Sequence, residues 1–363
     1  MGVAPHDPHD PSLHVWMPTI RGSSGGDVYT KRLADALRQR GVEVTVEWFD
    51  RRYEYRPELL ATRPAPQGAT LIHTNALSAF AFARHGLPLV ATEHHYVLDP
   101  AYRPFKTWLQ HVYHQWVIGP SIHRSFYAAD VLVVDAKFTE RALSSRRVRG
   151  PVRVIPLWVD YQRFRPLETP ASNKPGAFKL LFVGNATRRK GFDCIIPLAR
   201  LLGDGYHVSC TGGLRGESAH TDVGNVTFLG RLSDDALIAA YQACDAIVVP
   251  SRYEGFGYSA LEGMACAKPV VGFACGAVDE VVSDGVSGYL VPVDDVEALA
   301  GRCRILCSNP NLAQELGNNG RRRAVEEFDE SRAMDAYLDV YEEAIKIHRT
   351  ATCTNKPGTS HGQ

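Results

Sequence analysis

Short apolar runs alternate with helical periodicity along most of this 363-residue chain, and no other feature restricts the fold as much. Runs at 13–17, 42–48, 69–73, 87–92 and 130–134 are apolar and bounded by Gly, Pro or polar residues, as buried strands are. Between the first two lies GGDVYTKRLADALRQRG, where Val28, Leu33, Ala34 and Leu37 recur near helical spacing and Gly41 stops the helix. The pattern then restarts. FKLLFVGN, YHVSCTGG, NVTFLG, DAIVVPS and KPVVGF each read as a buried strand, with helical stretches between them. Such alternation implies parallel sheets covered by helices. The break falls at LETPASNKPGA, residues 167 to 177, which has the composition of a linker. The reading is two α/β domains of similar size, over 13–168 and 178–330, joined by a linker at 169–177. A charged helix over 331–349 is expected to return to the first domain. Residues 1–12 and the polar tail 350–363 are expected to be disordered.

Composition excludes several classes. Lys+Arg and Asp+Glu are both 40, and a net charge of zero argues against a protein built mainly to hold nucleic acid. The eight cysteines include no C-x-x-C pair, so neither a zinc site nor a redox motif is expected, and scattered thiols suit a reducing compartment. No uncharged run reaches the length of a membrane span. The start, MGVAPHDPHDPS, has no apolar core of a signal peptide, so a cytoplasmic location is expected.

Three stretches carry candidate chemistry. In CDAIVVPSRYEGFGYSALEGMACAKP a strand ends near Val249, a glycine loop follows, and a helix starts near Tyr258. Free N–H groups at a helix start favour a diphosphate, and Gly257 lets the backbone come close to one. Glu262, about one turn into the helix, can accept two hydroxyl hydrogen bonds from a ribose diol, and Glu254 is placed for another part of the same ligand. Both acids also fit ordinary roles, as a loop charge and a first-turn Glu on the helix dipole. In FVGNATRRKGFD, the cations Arg188, Arg189 and Lys190 stand where a strand meets a helix beginning near Gly191. They suit a phosphate or a solvated basic turn. GSSGGDV is glycine-rich but lacks the G-x-G-x-x-G spacing of a dinucleotide site. VATEHHYV sets His94 and His95 just after a strand.

Together these residues resemble the retaining nucleotide-sugar glycosyltransferases of the GT-B fold, in particular glycosyltransferase family 4, the group 1 transferases. The resemblance covers residues 13 to 345 and is strongest in EGFGYSALEGMACAKPVV and GAVDEVVSDGVSGYLVPVDD. It implies two Rossmann-like domains whose parallel sheets face each other across a cleft. It implies that Glu262 holds the nucleotide ribose. Glu254 would contact the donor sugar, with the Phe256 and Gly257 amides and Tyr258 beside the diphosphate. Lys190 and Arg189 would meet that diphosphate, Gly25 and Gly26 would face it from the first domain, and His94 would lie near the reacting sugar. Three positions depart from the family pattern. Asn185 stands where Arg is common, a charge that Arg188 or Arg189 would replace. Leu157-Trp158 stands for the usual Asn-Gly at the domain junction, and Tyr258-Ser259 stands where aliphatics are common.

The implied reaction moves a hexose from a GDP- or UDP-sugar to a hydroxyl of a glycan or lipid-linked glycan, in envelope or exopolysaccharide synthesis, with retention. No cofactor and no metal are expected: no D-x-D pair is convincing, and HDPHDP reads as tail. PFKTWLQHVYHQWVIG, with Trp108, Tyr113 and Trp116, fits either an anionic membrane surface or a helix packed on its own sheet. Two other readings share the fold, a GT-B nucleotide-sugar epimerase and a non-catalytic nucleotide-sugar-binding module.

Overall fold

The computed structural model describes residues 13–22, 25–167, 176–212 and 224–354. Its first sheet holds β1 (His14–Ile20), β2 (Glu43–Phe49), β3 (Leu71–Asn75), β4 (Leu89–Glu93), β5 (Val131–Val134) and β6 (Val152–Val154), in the order β2-β1-β3-β4-β5-β6. The second holds β7 (Phe178–Phe182), β8 (Tyr206–Thr211), β9 (Val226–Gly230), β10 (Ala246–Val249), β11 (Val270–Phe273) and β12 (Gly288–Val291), in the order β12-β11-β10-β7-β8-β9. Every pairing is parallel. Parallel neighbours need crossover connections, and helices on both faces bury the strands, so β4, β5, β10 and β11 are buried throughout. The fold is therefore α/β with two parallel sheets, as read from the sequence.

β6 and β12 are the two strands that the sequence reading leaves out. β6 is a three-residue edge strand carrying exposed Arg153, and β12 begins at a glycine. The helix expected near Gly191 starts later, at Ile195–Leu202, after single turns at Arg188–Lys190 and Phe192–Cys194. Gly191 separates the turns at φ +71°, and a Cβ there would stand 1.8 Å from the Pro250 carbonyl oxygen, so the chain cannot run on as one helix.

The last helix, Glu330–Thr354, extends past the expected end at 349. Its added turn is held by Thr350 and Thr352, whose hydroxyls donate to the Lys346 and His348 carbonyls at 2.9 and 3.0 Å. The helix lies against the first sheet. Tyr337 and Tyr29 share a 2.6 Å hydroxyl contact, Tyr341 meets His73 Nδ1 at 2.8 Å, and Arg153 pairs with Glu343. One hydrophobic cluster runs through both domains, joining Leu33, Val133 and Trp158 to Ala260, Met264 and Tyr337. Trp158 is buried and donates to Glu330 at 3.1 Å, so the ring replacing the junction glycine is core rather than acceptor surface. Most of the expected linker, the HDPHDP start and the end of the tail lie outside the described residues.

Strand order places the ligand crevices. In the first sheet the chain goes outward from β1 to β2 and then returns to β3 on the other side. In the second, β7 stands between β8 and β10. Loops leaving the carboxyl ends at such switch points diverge and leave a crevice.

Candidate active site

The second sheet's switch point brings together the loops after β7 and β10. Thr187 accepts from the Lys190 N–H and fixes the turn. Lys190 Nζ then donates to Glu254 Oε2 at 2.5 Å, Ser251 Oγ donates to the same oxygen at 3.2 Å, and Arg189 Nη1 lies 3.6 Å from it. No hydrogen bond among the described residues reaches Oε1. Burial works to raise the Glu254 pKa, but Lys190 and then Arg189 outweigh it and hold the carboxyl near about 2. Arg189 also donates to the Tyr253 carbonyl at 3.0 Å. Arg188 is exposed and contributes only its carbonyl, to Arg252 at 2.6 Å. Of the three sequence-read cations, Arg189 and Lys190 reach the acid and Arg188 does not.

Gly257, at φ +108°, starts the helix Tyr258–Ala265. Glu262 is buried one turn in, where Tyr241 donates to Oε2 at 3.0 Å and Arg32 Nη2 stands 3.6 Å from Oε1. Burial raises the Glu262 pKa, and Arg32 only partly offsets it. Arg32 comes from the opposite domain, on the helix Gly25–Gln39, and its guanidinium lies 5.3 Å from the centre of the Tyr258 ring. That contact accounts for an aromatic at 258. The Phe256 side chain is buried against Phe328, so only its backbone can face a ligand.

At the first sheet's switch point, a cavity of about 150 Å³ is lined by Thr19, Gly22, Gly26, Tyr29, Thr74 and His94 among others. Gly26 reaches it, whereas Gly25 is exposed at the helix start. His94 Nδ1 lies 2.8 Å from Asp135 Oδ2, and the Tyr29 ring meets the imidazole edge-on at 4.2 Å. Burial alone would lower the His94 pKa, but Asp135 reverses this and raises it. His95 instead packs between Tyr102 and Tyr253, and burial lowers its pKa to about 3. The two crevices meet where Gly255 touches the loop after β4: a Cβ there would lie 2.4 Å from the His94 carbonyl oxygen.

Asp135 and Arg32 escape sequence reasoning. Asp135 directly follows an apolar strand, the one signal that could have flagged it. Replacing Asp135 by asparagine removes the carboxylate that most favours the imidazolium and leaves burial opposed only by the smaller effect of Glu93. The His94 pKa is then expected to fall below the ordinary value of about 6.5. Ring-proton NMR titration measures this, and an unchanged midpoint refutes the pairing. Among the described residues no group of three or more His, Cys, Asp or Glu side chains is arranged to hold a metal ion.

Residues 165–323 match the family described as "Glycosyl transferases group 1". The MMP alpha-(1->4)-mannosyltransferase of Mycolicibacterium hassiacum is 30% identical over 292 residues, which is 75% of this chain and 68% of that one. The chain belongs to the group 1 glycosyl transferases. It spans only about half the length of other curated relatives that it matches, 47% and 53% in two cases. Among solved structures, this group 1 transferase superposes on sucrose-phosphate synthase of Thermosynechococcus elongatus with a TM-score of 0.78 at 21% identity, over 92% of this chain and 99% of that one. It also superposes on Anabaena HepE in complex with UDP and glucose, with a TM-score of 0.69 at 16% identity, over 91% and 99%. Those two likenesses speak to the fold, which is GT-B. The family match holds Arg189, Lys190, Glu254 and Glu262, while His94 and Asp135 lie outside it.

Proposed function

We propose that this transferase moves a hexose from a UDP- or GDP-sugar to a hydroxyl of a glycan or lipid-linked glycan, with retention, in envelope or exopolysaccharide synthesis. The observation that carries the reading is the Lys190–Arg189–Glu254 cluster at one switch point, facing His94 and its cavity at the other. In this reading Glu262 exchanges Arg32 for the ribose diol, and Glu254 turns Oε1 to a sugar hydroxyl. Lys190 and Arg189 meet the diphosphate as it takes on charge, already oriented and shielded from water. The acceptor enters from the cavity beside His94, whose Nδ1 is committed to Asp135, leaving Nε2 for the reacting sugar. HepE, solved with UDP and glucose, and the relative named as a mannosyltransferase both fit a hexosyl donor.

A thermal-shift panel of nucleotide sugars tests this. One donor at a hundredfold over its Kd is expected to stabilise the protein by about 2.7 kcal/mol, and Glu262→Ala is expected to abolish the shift. No shift with any nucleotide sugar would sink the reading. NMR of the product's anomeric proton tests retention: an inverted centre removes that part.

A further inference from the structure

A second cavity, of about 370 Å³, lies on the far side of the loop after β4. Arg103, Lys106, His111, His123 and Arg146 line it, and among the described residues Asp99 is the one acid in its wall. Both Asp99 oxygens are already used, Oδ1 by the Ala101 N–H and Oδ2 by the Tyr253 hydroxyl, each at 2.9 Å. Arg103, Lys106 and Arg146 make no ion pair with any described residue. Arg146 Nε is buried without a hydrogen-bond partner. Lys106 Nζ donates to the Val97 carbonyl and lies 4.5 Å from the centre of the Tyr102 ring, and burial lowers its pKa only to about 8, so it still carries charge at neutral pH. Stacked Tyr102 and Tyr253, 5.0 Å apart, with His95 against both, separate this cavity from Glu254.

The outer wall is as unusual as the lining. His111 and Gln115 belong to the helical run formed by Trp108–Tyr113 and His114–Ile118. On that same run Trp108, Leu109 and Trp116 are 74%, 71% and 79% exposed. Large apolar side chains this exposed, set beside cations that have no acid partner among the described residues, match a bilayer interface, where aromatic rings sit at headgroup depth and cations meet anionic phosphate.

We propose that this cavity binds the phosphate headgroup of an anionic phospholipid, while Trp108, Leu109 and Trp116 enter the interface. The surface is separate from the donor site and does not depend on the donor assignment. It would hold the transferase against a membrane by its first domain.

Flotation of the full chain with vesicles tests this. Phosphatidylcholine alone is compared with phosphatidylcholine plus phosphatidylglycerol, with inorganic phosphate as a separate soluble probe. Wild type is expected to bind the anionic vesicles at least about tenfold more tightly than the neutral ones. Arg103→Gln/Arg146→Gln is expected to lose about thirtyfold in that binding. Trp108→Ser/Trp116→Ser is expected to lose binding to both vesicle types. Donor-induced thermal shifts, unchanged in both double variants, would show that the site across the tyrosine stack is intact. Equal flotation of wild type and the arginine variant overturns the proposal, as does wild type that floats with neither vesicle. Saturable binding of inorganic phosphate without flotation also overturns it and assigns the cavity to a soluble phosphorylated ligand.

Discussion

Lys190→Ala is expected to lower turnover by about 10²–10³-fold, the usual loss when one preoriented donor to a developing charge is removed. The same ammonium sustains the ionised state of a buried acid, so the variant should also be less stable. With Lys190 gone, Glu254 keeps Arg189 at 3.6 Å and Ser251 at 3.2 Å, a weaker set of partners than the 2.5 Å contact it has lost. Its carboxyl pKa then rises from about 2. A carboxylate with a depressed folded-state pKa stabilises the protein above its unfolded value, about 4.3, and loses that contribution as pH falls through the folded one. The melting-temperature gap between wild type and Lys190→Ala should therefore be widest at neutral pH and narrow between about pH 4.3 and about 2. Lys190→Ala/Glu254→Gln separates the two roles. Neutralising the stranded acid should recover stability and leave turnover low. Wild-type kinetics in Lys190→Ala would remove Lys190 from the reaction.

The sequence reveals strands whose chemistry is local and hides what depends on neighbours. β4, β5, β10 and β11 are covered on both faces, so they must be apolar throughout and stand out in one dimension. β6 has three residues, one of them an exposed arginine, and β12 has four and opens on a glycine, so neither stands out, whereas β2 and β9, which also end their sheets, do. Glu254, Glu262, Arg189 and Lys190 are legible as candidates because glycine and charge mark loops and helix starts, whereas Arg188, marked by the same charge, does not reach the cluster. Arg32 and Asp135 are not legible, because each gains its meaning from a partner far away in the chain: Arg32 from Glu262 across the cleft, Asp135 from His94 just past the end of the neighbouring strand. The same limit hides Glu280, whose carboxylate accepts from the Lys137 and Phe138 amides at 2.8 and 2.6 Å and so caps a first-domain helix from the second domain. The aromatic stretch 104–119 reads either as a membrane surface or as a helix packed on its own sheet, because composition alone does not tell a buried aromatic face from an exposed one.

Gly255→Ala is expected to separate donor binding from turnover. Gly255 is not among the residues with left-handed φ, so alanine introduces no backbone strain of its own. The nearest atoms to an added Cβ are the His94 carbonyl oxygen at 2.4 Å, its carbon at 3.5 Å and His95 Cα at 3.7 Å. All three are main chain of the opposite domain, which cannot swing aside as a side-chain tip would. Each domain should therefore fold as before, and the methyl should act only where the two loops meet. Glu262, Lys190 and Arg189 lie outside that contact, and the neighbouring Glu254 carboxylate stays held by Lys190 and Ser251, so donor affinity by calorimetry should stay within about threefold of wild type, a change worth under ~1 kcal/mol. Turnover should fall by about 10²-fold, because a displacement near 1 Å between reacting groups costs that much. The Glu280 cap, which also spans the domains, should loosen, with a stability loss of about 1 kcal/mol. X-ray scattering should show a larger radius of gyration with donor bound. Gly257→Ala, with φ +108° at the helix start, should instead weaken the donor itself. The contrast matters because a general loss of folding would lower both quantities together. If Gly255→Ala turns over at the wild-type rate, the 94–255 contact does not belong to the reacting geometry, and His94 approaches the sugar in some other arrangement of the two domains.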